Sequence, residues 1–118
     1  MRRYILAAIV AATVSLVGAQ VALAAVASTI SIGYNTHSQS FHGKVSSSNA
    51  ECKAGRTVKV FKRTANGPSL QGRAMSDAHG VWKIEVMHPS GHYYAVAPKE
   101  TVMSTECGRA VSHTIDEM

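Results

Sequence analysis

The stretch Ser76-Asp77-Ala78-His79-Gly80-Val81-Trp82-Lys83-Ile84-Glu85-Val86 reads as a tight turn feeding a half-buried strand. Asp77 and Gly80 supply turn chemistry. Trp82, Ile84 and Val86 then recur at period two, with Lys83 and Glu85 between them. An alternation of this kind gives a strand one apolar face, so the only tryptophan of the chain is expected in a core.

The same pattern extends in both directions. Ile30, Ile32 and Tyr34 alternate with Ser31 and Gly33, and Phe41, Gly43 and Val45 alternate with His42 and Lys44. Residues 57–62 place Val58 and Val60 on one face with Lys59 and Phe61 on the other. Asn66-Gly67-Pro68 is a turn, and residues 70–75 form a strand weakened by Gly72. Beyond His88-Pro89-Ser90-Gly91, residues 92–97 run out as an apolar strand that Pro98 ends. A loop holding Cys107 then leads to residues 110–115, where Val111, His113 and Ile115 are expected to share a face. Seven short strands and no helical period predict an all-β, seven-stranded, Ig-like β-sandwich.

Residues 1–27 differ in kind. Arg2 and Arg3, an apolar run over residues 5–17 and the small-residue pairs Ala22/Ala24 and Ala25/Ala27 follow the order of a secretory signal peptide. Cleavage is expected after Ala24, which makes residues 1–24 a signal helix and residues 25–118 one β-sandwich domain. The competing reading is an uncleaved anchor over residues 5–27, and only then is a membrane a partner. Loss of Arg2 and Arg3 takes the formal charge from +5 to +3. A secreted or cell-envelope location follows.

Cys52 and Cys107 are the whole cysteine inventory and both lie in the exported part. In an oxidising compartment the pair reads most simply as one disulfide, since a metal or redox pair would use a short Cys-x-x-Cys spacing. A chain of this size lies where small extracellular folds recruit such covalent help.

Four motifs in order carry a resemblance: Phe41-x-Gly43-x-Val45, Ala54-Gly55-Arg56-Thr57-Val58-x-Val60, Ser76-Asp77-x-x-Gly80-x-Trp82-x-Ile84 and Pro89-x-Gly91-x-Tyr93-x-Ala95. Over residues 41–97 the chain resembles a carboxypeptidase-regulatory-like domain of the transthyretin-like sandwich class. It also resembles the small exported domains of this type found in actinobacteria, in which two cysteines bracket the domain as Cys52 and Cys107 do. The resemblance implies a non-catalytic module and supplies no site residues. The hydroxyisourate hydrolases of the same fold end in Tyr-Arg-Gly-Ser, whereas this chain ends Ile115-Asp116-Glu117-Met118. A second departure is Ala95 and Ala97 at positions where the family carries larger apolar residues.

Chemistry-bearing motifs are sparse. The sequence has no Gly-x-Ser-x-Gly elbow, no His-Glu-x-x-His and no phosphate-binding glycine loop, and no cofactor is expected. His37, His42, His79, His88, His92 and His113 are the unusual stock. Turn histidines could assemble a metal site, and hence a small extracellular enzyme or metal-binding protein, only if their turns met at one end of the sandwich. Residues 44–73 carry Lys44, Lys53, Arg56, Lys59, Lys62, Arg63 and Arg73 against Glu51 alone. Such a basic half suits an anionic partner, or simply guards strand edges. Nucleic acid is disfavoured by the few aromatics. The candidate binding face is Tyr94 and Val96: if Tyr93, Ala95 and Ala97 point inward as the resemblance implies, alternation sends Tyr94 and Val96 to the opposite face as an exposed apolar patch. The expected function is a secreted non-enzymatic module that binds an unidentified protein or envelope polymer, or has a structural role there.

Overall fold

A computed structural model describes residues 24–118. The expected signal segment and its helix lie outside the described residues, Ala24 excepted. The described chain forms β1 (Ser28–Ile30), β2 (Gly33–Asn35), β3 (Ser40–Ser47), β4 (Thr57–Thr64), β5 (Gly67–Met75), β6 (Val81–Glu85), β7 (Gly91–Ala97), β8 (Glu100–Val102), β9 (Thr105–Cys107), β10 (Ala110–Val111) and β11 (Ile115–Glu117), with one 3₁₀ turn at Ala50–Cys52. In the first sheet β3 is central, flanked by β6 on one side and by β1 and β2 on the other. The second runs β5-β4-β7, with β10 and β11 both on the far side of β7. All these pairings are antiparallel and the two sheets stack as a sandwich.

All seven expected runs are strands, but two are divided and a hairpin is added. β1 and β2 keep one register against β3, with Ile30 opposite Val45 and Gly33 opposite His42. The division falls at Ser31, whose hydroxyl accepts from the Lys44 N–H at 3.0 Å. The last run is divided by an extra residue: Val111 pairs with Val96, but Ile115 pairs with Tyr93. Ser112 fills the gap with its side chain, accepting the Ala95 N–H at 2.8 Å. A bulge of one residue turns every later side chain to the other face. Val111 therefore points out at 46% exposure while Ile115 packs on the core, which corrects the expectation that they share a face.

The added hairpin, β8 and β9, occupies the expected Cys107 loop. Its tip is Met103-Ser104, with φ of 48° and 75°. Two left-handed residues make the turn that suits hairpin twist, yet neither is the Asn or Gly that usually announces it.

Inward residues of both sheets form one core of Ile30, Ile32, Phe41, Val45, Val58, Val60, Trp82, Ile84, Tyr93, Ala95, Ala97 and Ala110. Gly72 belongs here because a side chain at that position would meet Ile84 Cγ2 at 2.7 Å. Trp82 is 2% exposed and its indole N–H has no hydrogen-bond partner among the described residues. Burying some 200 Å² of ring is worth about 5 kcal/mol, which outweighs the roughly 1–3 kcal/mol cost of one unmade bond.

The turn ahead of Trp82 is built by Asp77. Its carboxylate accepts from the N–H groups of His79 (2.8 Å) and Val81 (2.9 Å). Those bonds, Val81 first, hold the Asp77 carboxyl below its ordinary range. Gly80 closes the turn at φ 87°, and a Cβ there would strike the Val45 carbonyl at 2.3 Å. The Gly80 carbonyl accepts from Val45 N at 2.8 Å, so the turn is docked on β3.

A candidate binding face and a clamped end

The disulfide joins Cys52 to Cys107 as expected, with both residues fully buried. Beside it lies a feature the charge pattern misassigned. Arg56, counted with the surface cations, is 0% exposed. Its guanidinium donates to Ser28 Oγ (2.9 Å), to the carbonyls of Cys52 (3.0 Å), Pro98 (3.2 Å) and Gly108 (2.8 Å), and to Glu100 Oε1 (3.2 Å). The other side of the Glu100 carboxylate accepts from the Thr57 hydroxyl, and Oε1 also takes the Thr57 N–H at 2.8 Å. One fork of donors thus ties β1, the 3₁₀ turn, the end of β7, β8 and the segment after β9. The signal was in the sequence: Arg56, Val58 and Val60 recur at period two, which places Arg56 in the inward phase.

The outer faces of the two sheets differ in chemistry. Alternate outward positions of the first sheet are Thr29, Ser46, Lys44, His42, Val81, Lys83 and Glu85. That of the second sheet is built from cross-strand rows, because directly opposed residues share a face. One row is Arg73, Lys59, Val96 and Val111, and the next is Leu70, Phe61 and Tyr94. A third sets Pro68 opposite Arg63 and His92 opposite Asp116. A bulge at Gln71 keeps Leu70 opposite Phe61. Leu70, at the edge of the face, is 45% exposed, and Met75 is 64% exposed.

Tyr93, Ala95 and Ala97 face the core, so Tyr94 and Val96 do occupy the opposite face. They are not, however, the exposed patch expected of them. Tyr94 is 8% and Val96 5% exposed, because their own sheet covers them. The Phe61 ring stacks on Tyr94 at 5.6 Å and the Arg63 guanidinium lies 4.4 Å over the same ring. Arg63 is held there by Thr114 Oγ1, 3.3 Å from both Nε and one terminal nitrogen. The exposed apolar side chains of this face are instead Leu70, Met75 and Val111, with Phe61 half-buried among them. Tyr94→Ser is expected to cost about 2 kcal/mol in urea unfolding, between the values for core and surface positions, since a ring is removed from a single-sided layer. A change below about 0.5 kcal/mol would show that this layer contributes no packing.

The turn histidines are not brought together. His79 precedes β6 and His88 follows it, so the five-residue strand holds them at opposite ends of the sandwich. His37, His42 and His113 are exposed, and His92 Nδ1 stands 3.6 Å from Asp116 Oδ1. Among the described residues no three His, Cys, Asp or Glu side chains group closely enough to hold a metal ion. A cavity of about 290 Å³ opens at the end away from the disulfide, lined by Tyr34, Thr36, Gln39, His88, Ser90 and Glu117 among others. Burial, and secondarily the Glu117 carboxylate, push the Tyr34 phenol above its ordinary range. That hydroxyl is already engaged with the Val86 carbonyl at 2.9 Å.

Compared with known proteins, the chain matches no family model, no curated protein and no solved structure.

Proposed function

We propose that the chain is a secreted, non-enzymatic β-sandwich module of the carboxypeptidase-regulatory-like type, with a binding or structural role at the cell envelope or outside the cell. The observation that carries the reading is the contrast between the two outer faces. One is polar, apart from Val81; the other sets exposed apolar side chains among Lys59, Arg63 and Arg73. Phe, Met and Arg are the residues enriched where proteins meet partners. A buried disulfide is compatible with an extracellular location.

A photo-crosslinking residue at Leu70, compared with one at Lys83 on the other sheet, tests the reading in envelope and medium fractions. Adducts are expected from Leu70 and not from Lys83. Equal labelling at both positions, or none at Leu70, would remove the second sheet as the contact surface.

A further inference from the structure

Lys59 and Arg73 are register partners on one sheet face. Like charges placed directly opposite each other work against strand pairing. Among the described residues neither makes an ion pair. Of the carboxylates at the borders of the face, Glu100 is taken by Arg56 and Thr57, and Asp116 lies on the far side of β7, 3.6 Å from His92. Arg63 is pre-set over Tyr94 by Thr114. Lys59 and Arg73 therefore lie on one side of the apolar row of Leu70, Phe61 and Tyr94, and Arg63 reaches over Tyr94 from the other.

We infer that this face docks an extended acidic segment of a partner protein, in which two carboxylate side chains flank an apolar one at alternate positions. The inference rests on the reading of this face as the contact surface. Neighbouring rows lie two residues apart along β4, roughly 7 Å, and the backbones of Lys59 and Arg63 are roughly 14 Å apart, with the Arg63 guanidinium leaning back toward the middle row. A strand laid along β4 presents its own side chains at the same intervals. One acid then meets Lys59 and Arg73, the apolar residue meets Leu70 and Phe61, and the second acid meets Arg63, whose planar fork suits a carboxylate. Eight residues of β4 across four strands outline an area of roughly 500 Å². That is below the roughly 800 Å² per side of a stable globular pair, so an extended segment fits better than a broad surface. A second copy of this chain is disfavoured because its cations would meet these. A lipid surface is disfavoured because the exposed apolar side chains Leu70, Met75 and Val111 are set apart by Lys59 and Arg73 and form no continuous apolar face.

The test uses the disulfide-bonded protein with amide-resolved NMR titration and four probes. These are a threonine-rich peptide carrying glutamate-threonine-leucine-threonine-glutamate, the same peptide with lysine for both glutamates, and a sulfated glycan with anionic vesicles as a further arm. Expected are shifts at Lys59, Phe61, Arg63, Leu70 and Arg73 with the glutamate peptide and none with the lysine peptide. The double variant Lys59→Ser/Arg73→Ser should bind the glutamate peptide about fivefold more weakly. Its stability should be unchanged or higher, because a repulsion has been removed. Unchanged affinity in that variant overturns the inference. Glycan or vesicle binding at these residues without peptide binding overturns it while leaving the contact surface standing. Shifts from no probe at this face overturn both.

Discussion

Arg56→Ala is expected to lower unfolding free energy by about 3–5 kcal/mol, with the disulfide intact and the urea m-value unchanged. The substitution leaves the Glu100 carboxylate, 26% exposed, without its cation. It also strips donors from three carbonyls and a hydroxyl. Unmade bonds at such groups cost more than the bonds contribute when made, because water reaches them poorly. A domain of this size has only about 5–15 kcal/mol in total, so the loss removes a large share of it. Arg56→Lys should recover only part, since one ammonium cannot span five acceptors in several directions. Lys59→Ala, three residues further on in β4, is the control and should change stability by less than about 0.5 kcal/mol. If Arg56→Ala fell within the same range as Lys59→Ala, the guanidinium would be a bystander to folding.

Removing the disulfide should cost about 4 kcal/mol, because it closes a loop of 55 residues in the unfolded chain. For a domain of this size that corresponds to a fall in Tm of roughly 20 °C. Reduced and oxidised protein, or the Cys52→Ala/Cys107→Ala variant, can be compared by thermal denaturation. Since both cysteines are fully buried, reductant alone should act slowly on the native protein and rapidly once urea opens it. Equal melting of the two forms would show that the end is held by other contacts. Those contacts are close: Arg56 donates to the Cys52 carbonyl, so the Arg56→Ala and disulfide losses should not be additive.

Alternating hydrophobicity was a reliable guide where a strand had one dry face. The Trp82 strand and the Phe41 and Val45 strand could be read from period two, whereas the inward phase of Tyr93, Ala95 and Ala97, on a strand apolar on both sides, came only from the family resemblance. The single possible disulfide followed from counting. Interruptions could not be read: the Ser112 bulge depends on a hydroxyl standing in for a backbone group, and the Met103-Ser104 hairpin on two residues accepting positive φ.

The candidate face divides in the same way. Its cations and its aromatic residues were visible as a basic half and as an apolar strand with two apolar sides. Charge counted along the chain, however, does not separate a guanidinium clamped inside from one lying on a sheet. Arg56 and Arg63 look alike in sequence, yet one binds five acceptors in the interior and the other rests on an outward ring. Burial of Tyr94 and Val96 came from the neighbouring strand β4, distant in sequence, which sets Phe61 and Lys59 opposite them. Alternation is a local property of the backbone, so the sequence alone determined the seven runs, the inward residues of strands with one dry face and the cysteine pair. Which outward residues are covered, and which charges are neutralised, depends on register between strands, and only the tertiary structure decided it.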